Sequence, residues 1–211
     1  MAHQHFKEAE ECWQCGTPSE TSLFCKFCNS LQKPRLDYYR FFGLEQRLNV
    51  DRTELERRFY DLSRLLHPDR YTRKTGRERE YSLEATAILN DAYRTLRDPV
   101  ARAEYVLKQS GFESTEPRSK NADPDLLEEV FELNMAVEEL RGGDSSVRPQ
   151  LEVARDKFVA MRKELDRDLH DLFEEYDATK ARDVLAQVRS LLDRRRYIQN
   201  LVLEVEHELA A

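Results

Sequence analysis

The sequence predicts an all-α protein: an antiparallel helical hairpin and a C-terminal three-helix bundle, preceded by a small metal-binding knuckle. Three observations carry this. Apolar residues recur at helical spacing through most of the chain after residue 37. Glycine and proline are few, 6 and 7 in 211 residues, and fall between those runs. All four cysteines are confined to Cys12–Cys28, which is the pattern of a local metal site rather than a disulfide framework.

Hydrophobic residues make up 40% and charged residues 36%, which suits exposed helices around modest cores. The net charge of −7 disfavours a general nucleic-acid binder, which carries a basic surplus. No apolar run reaches the length of a membrane span, so neither nucleic acid nor membrane is an expected partner. Residues 1–11 are polar and include acids, unlike a secretory or organelle leader. The expected compartment is a bacterial cytosol, or a mitochondrial matrix if a leader has been removed.

The first element is Cys12-Trp13-Gln14-Cys15, followed after nine residues by Cys25-Lys26-Phe27-Cys28. Two such knuckles can give four thiolates to one tetrahedral, structural zinc. Gly16 supplies the tight turn after the first pair. Two redox dithiols or a disulfide pair are the other readings. Lys33-Pro34-Arg35 reads as a linker. Asp37 and Gly43 bracket a short helix as cap and stop. The next helix opens on Asp51, with Glu54 in capping-box register, and carries the stripe Leu55, Phe59, Leu62, Leu66. Its other face bears Arg57, Arg58 and Arg64, some of them within reach of Glu54 or Asp61.

His67-Pro68-Asp69 then stops the helix, because proline excludes the helical conformation from the residue before it. By itself the tripeptide reads as a turn. A polar loop over 71–76 leads to a helix over 77–97, whose face of Tyr81, Ala85, Ile88, Leu89, Ala92, Tyr93 and Leu96 suits antiparallel packing on the second. A short helix over 101–109 follows.

Asp37-Tyr38-Tyr39-x-x-Phe42-Gly43-Leu44, the Arg-faced helix, His67-Pro68-Asp69 and Asn90-Asp91-Ala92-Tyr93-Arg94 together resemble a J domain. The continuation Asp98-Pro99-x-x-Arg102-Ala103-Glu104-Tyr105 resembles more narrowly the HscB family, the J-type co-chaperones of iron–sulfur cluster assembly. The tetracysteine knuckle is similar to that of the zinc-bearing members. The resemblance spans nearly the whole chain and sets the expected domains: tail and knuckle over 1–34, J domain over 35–111, linker over 112–124, bundle over 125–211.

The bundle's first helix has the seam Leu126, Val130, Leu133, Val137, Leu140. Leu127, Phe131 and Met135 lie beside it, either as a wider core face or as an uncovered flank. Two further helices, about 150–176 and 178–209, complete an antiparallel bundle.

The resemblance implies a protein that hydrolyses nothing itself. It would stimulate a DnaK/HscA-type chaperone ATPase through His67, Pro68 and Asp69, with Arg57, Arg58 and Arg64 approaching an acidic surface of that partner. It would hold an IscU-type iron–sulfur scaffold through the bundle. Matching Glu132-Leu133-Asn134 to the family register places Leu127, Phe131, Glu132 and Met135 on the client face, with Arg196 and Tyr197 as companions. Glu128 stands where the family has an apolar residue, and Met135 where it has an acidic one. Weak self-association through the knuckle or the bundle flank is compatible with this. The alternatives are a J protein for general unfolded clients, a zinc-ribbon nucleic-acid regulator using Lys26, Lys33 and Arg35, and a thiol-disulfide enzyme.

Overall fold

The structure, a computed structural model, describes residues 11–18, 23–112 and 124–210, excluding the side chains of 124–127. The described residues form α-helices, two short 3-10 turns and two isolated β-bridges, in two compact units.

The first unit is Met1–Gln46 with Val50–Arg102. Helix α1, Tyr38–Phe42, begins where the Asp37 carboxylate accepts the Arg40 N–H and ends at Gly43, whose φ of 64° is the left-handed conformation that glycine adopts without penalty. A Cβ on Gly43 would also lie 3.0 Å from the Arg58 guanidinium and press on the group that bonds the Gly43 carbonyl. Helix α2, Arg52–Leu66, starts with Asp51 accepting from Thr53 and Glu54 N–H. The Glu54 side chain does not complete a capping box; it pairs with Arg57 and Arg58. The full box lies at α3, Gly76–Arg97, between Thr75 and Glu78.

Helices α2 and α3 run antiparallel: Phe59 stacks on Tyr93 at 4.2 Å, while the Leu66 carbonyl accepts from Ser82 and Thr86. The expected core residues Leu55, Leu66, Ala85, Leu89, Ala92 and Leu96 are buried. One expectation is corrected here. Tyr71 is not part of a polar loop: it is buried, and its hydroxyl donates to the Leu65 carbonyl at 3.1 Å. Of Lys33-Pro34-Arg35, the stretch read as a linker, Lys33 is exposed and Pro34 buried, and Leu31 and Gln32 just before it are buried.

The second unit is Arg47–Asn49 with Ala103–Ala211. It contains most of α4 (Pro99–Gln109), then α5 (Pro124–Arg141), α6 (Arg148–Thr179) and α7 (Arg182–Ala210). Its core joins Leu133, Val137, Leu151, Phe158, Ile198 and Val205. Phe173 and Tyr176 are buried near the C-terminal end of α6. Leu48 is fully buried, and Asp177 accepts the N–H groups of Leu48 and Asn49, each at 2.7 Å. The division between units falls inside α4, after Arg102. Arg102 donates to the Leu96 carbonyl at the end of α3, whereas Glu104 binds Arg189 at 2.6 and 2.9 Å and Arg196 at 2.6 Å.

Arg189 is 7% exposed, and its Nε finds no acceptor among the described residues. Glu104→Ala would leave that buried guanidinium with only Asp193, at 2.6 Å. A fully buried pair loses more on truncation than a surface pair, and this one lies between them. The expected cost is about 2 kcal/mol, read as a lower urea midpoint for the variant.

Candidate functional site

The His-Pro-Asp corner is built from both sides. Upstream, α2 ends at Leu66 because Pro68 forces His67 to φ −56° and ψ 128°. Downstream, Pro68–Tyr71 makes one 3-10 turn, capped by the imidazole: His67 Nδ1 accepts the Asp69 N–H at 3.3 Å. Buried Tyr71 and the Ser82 and Thr86 hydroxyls fasten the corner from beneath. Its carboxylate faces outward: the Asp69 side chain is 86% exposed and the His67 side chain 56%. The tripeptide is therefore a capped turn that presents one carboxylate to solvent, with its histidine acting as the cap.

The arginines of α2 differ from one another. Arg57 is exposed and shared between Glu54 at 2.8 Å and Asp61 at 3.4 Å. Arg58 turns inward and donates to the Phe42 and Gly43 carbonyls, both at 2.7 Å, closing the end of α1. Arg64 is exposed. Hydrogen bonds from Arg57 and Arg58 hold the Glu54 carboxyl down at about 2. A carboxylate so depressed stabilises the fold above its ordinary value near 4.5, and that contribution is lost as pH falls toward 2. Acid unfolding is therefore expected to steepen between those values, and Glu54→Gln to flatten that segment of a stability–pH profile.

The knuckle repeats one motif twice. In each half the first cysteine N–H donates to the carbonyl five residues on, Cys12 to Thr17 and Cys25 to Ser30, at 2.8 and 3.0 Å. In each half a left-handed residue follows the second cysteine: Gly16 at φ 69° and Asn29 at φ 56°. Asparagine tolerates this conformation, so Cys-x-x-Cys-Asn is a turn signal equivalent to Cys-x-x-Cys-Gly. The four sulfurs lie within 4.8 Å of one another and could hold a metal ion. Cys12 and Cys28 are 3.6 Å apart, and Cys15 and Cys25 3.7 Å. A tetrahedron with metal–sulfur bonds of ~2.3 Å has edges of about 3.8 Å, so the donor set fits. Burial opposes ionisation of Cys12, but the Ser30 hydroxyl and the Cys15 and Gln14 N–H groups hold it at about 5. The Cys28 and Phe27 N–H groups likewise lower Cys25. Thiolate, the ligating form, is thus favoured at Cys12 and Cys25; at Cys28 the Ser30 hydroxyl and N–H also favour it, but burial and the neighbouring Cys15 and Cys12 sulfurs outweigh them and raise the thiol.

Trp13 fixes the knuckle to the helices. Its indole N–H donates to the Leu31 carbonyl at 2.7 Å, its ring meets Tyr81 edge-on at 6.5 Å, and Arg77 lies over it at 5.2 Å. Gln32 donates to Cys12 Sγ and to the Ser30 hydroxyl. No spacing rule singled out these residues; only their contacts do.

On α5, Leu133, Ala136 and Val137 face the core, while Phe131 is 65% and Met135 52% exposed. Both point away from the bundle interior, and Glu132 beside them is exposed. The side chain of Leu127 lies outside the described residues. Arg196 is engaged with Glu104, and Tyr197 packs against the bundle core.

Comparison with known proteins gives these sites a setting. The model of the DnaJ domain matches residues 37–105, and that of the HSCB C-terminal oligomerisation domain matches residues 122–206. The iron–sulfur cluster co-chaperone protein HscB of mouse (Mus musculus) is 33% identical over 187 residues, which are 86% of this chain and 78% of the mouse protein. The human (Homo sapiens) protein of the same name is 30% identical over 184 residues, 84% of this chain and 76% of its own. The crystal structure of human co-chaperone protein HscB superposes with a TM-score of 0.71 at 27% identity, covering 93% of this chain and 97% of that one. Chaperone HscB from Vibrio cholerae gives 0.58 at 27% identity, covering 81% and 95%. With a J-domain corner, a helical bundle and these relatives, the chain belongs to the HscB family of iron–sulfur cluster co-chaperones.

Proposed function

We propose that this chain binds an IscU-type scaffold protein through its bundle and stimulates ATP hydrolysis by a DnaK/HscA-type chaperone through its J domain, promoting cluster transfer. The domain limits are those read from the sequence: 1–34, 35–111, 112–124 and 125–211. The observation that carries the reading is the Asp69 carboxylate, 86% exposed on a turn capped by His67. An exposed carboxylate of this kind can accept a charge-assisted bond from a partner arginine or backbone amide. It accelerates hydrolysis only if it binds the hydrolysis-competent state of the ATPase more tightly than the other. Arg57 and Arg64 would steer the encounter with an acidic partner surface. Arg58 would act by holding α1 against α2.

The client face is Phe131, Glu132 and Met135, with Leu127 in the same register and Arg196 and Tyr197 at its edge. Arg196 already binds Glu104, so its contribution would be to orient that edge. The test is ATP turnover by a cognate chaperone, with and without scaffold. Stimulation by this chain that rises further when scaffold is added supports the reading. Equal enhancement by a denatured model client would favour general unfolded clients.

Cys12, Cys15, Cys25 and Cys28 would hold one zinc, which supplies a closed cross-link and no open coordination position. Metal analysis is expected to give one zinc per chain, and Cys25→Ser to lose it and shift the Trp13 emission. Retained zinc in that variant would count against the assignment.

A further inference from the structure

We propose that the knuckle and the first two J-domain helices together form a docking cleft for a short acidic, apolar segment of the chaperone ATPase; this rests on the ATPase reading above. A cleft of about 710 Å³ lies within the first unit, with Trp13 and Phe24 of the knuckle on one side and Leu62 and Leu65 of α2 on the other. That volume falls in the range of sites that bury several side chains, well beyond what an ion or a few waters need. Leu65 is 43% exposed there, an apolar side chain with one face left open.

Charge selects the occupant. The lining carries five cations, Lys33, Arg35, Arg40, Arg57 and Arg58, against Glu11, Asp37 and Asp61, in a chain whose net charge is −7. Asp37 pairs with Arg40 at 3.3 Å, Asp61 with Arg57 at 3.4 Å, and Glu54, just outside the lining, with Arg57 at 2.8 Å and Arg58 at 2.6 Å, which offsets these three arginines and leaves Lys33 and Arg35 against Glu11. Lys33 is exposed at the cleft and makes no ion pair among the described residues. A segment with an apolar residue flanked by carboxylates fills this surface; a basic one does not. Continuity selects the source. Arg57 lines the cleft and also belongs to the α2 face assigned to the ATPase, so a partner seated on α2 reaches the cleft without a second binding mode. The knuckle is then one wall of the docking surface, held against α3 by the contacts of Trp13 with Tyr81 and Arg77.

The experiment uses the metal-loaded full chain and a cognate DnaK-type ATPase. Turnover is measured against increasing concentrations of Lys33→Glu, Leu65→Ser and Asp69→Asn. Lys33→Glu is expected to raise the half-saturating concentration about tenfold with maximal stimulation retained. Leu65→Ser is expected to act in the same direction. Lys33 is a surface residue, so its variant keeps the test valid even if Leu65→Ser folds poorly. Unchanged half-saturation for Lys33→Glu, with Asp69→Asn inactive, overturns the cleft and leaves the ATPase reading standing. An active Asp69→Asn undoes that reading instead. If Lys33→Glu weakens scaffold binding, or abolishes a self-associated species in sedimentation, the cleft belongs to another occupant and the proposal is overturned.

Discussion

Asp69→Asn is expected to reduce stimulation of the chaperone ATPase to the unstimulated rate while leaving the fold unchanged. The two halves of this prediction have separate grounds. The carboxylate is 86% exposed, and its nearest ionisable neighbour is His67 Nδ1 at 3.5 Å. The turn itself is held by other groups: the His67 carbonyl accepting from Arg70, the Asp69 carbonyl accepting from Thr72, and the buried Tyr71. Thermal unfolding should therefore move by no more than a surface substitution usually does, within about 0.5 kcal/mol. Asparagine keeps the shape but replaces an anion with a dipole. A charge-assisted bond is worth roughly 1.5–3 kcal/mol. When that bond is made preferentially to one state of the ATPase, its loss appears as lost acceleration rather than merely as weaker binding. His67→Gln reaches the same end by another route. It removes the ring acceptor that caps the Asp69 N–H, so the turn that presents the carboxylate loses its cap. Full stimulation by both variants would falsify the assignment.

The elements that the sequence announces are those whose cause is local. Pro68 stops α2, Asp37 and Gly43 delimit α1, and the apolar stripes place the buried faces of α2 and α3. The four cysteines announce their own cluster by spacing. What stayed hidden depends on residues far apart in sequence. Nothing near Arg58 indicates that its guanidinium closes α1, sixteen residues upstream. Glu104 and Arg189 are 85 residues apart, and each alone reads as a solvated surface charge. Tyr71 follows a basic turn and seems polar until its ring is seen under the corner. Capping boxes illustrate a nearer competition. Asp51 and Glu54 have the register of a box, but two arginines one turn further on hold the Glu54 carboxylate more strongly than a backbone N–H would. Thr75 and Glu78 make the box because, among the described residues, no arginine or lysine pairs with Glu78.

The bundle face carries the second large effect. Phe131→Ala is expected to weaken binding to an IscU-type scaffold by about 2 kcal/mol, roughly thirtyfold in Kd, with J-domain stimulation in the absence of scaffold unchanged. Periodicity could not separate a wide core face from an exposed flank, because Phe131 and Met135 sit next to the seam either way. Exposure separates them: 65% and 52%, against 2% or less for Leu133, Ala136 and Val137. An aromatic ring left in water on a helix whose core is already complete gains nothing for folding, so its removal should leave the urea midpoint of the bundle in place. Covering it with a partner recovers about 25 cal/mol for each Å² of apolar surface, and a buried ring carries a disproportionate share of an interface's free energy. Glu132, exposed beside it, would set the charge of the client surface that fits. Met135→Ala should act in the same direction with a smaller effect, since a flexible thioether adapts where a ring anchors. Isothermal titration with scaffold, run beside urea unfolding of the same variants, reads both quantities. A lower midpoint for Phe131→Ala with unchanged affinity would move this residue from the client face to the core.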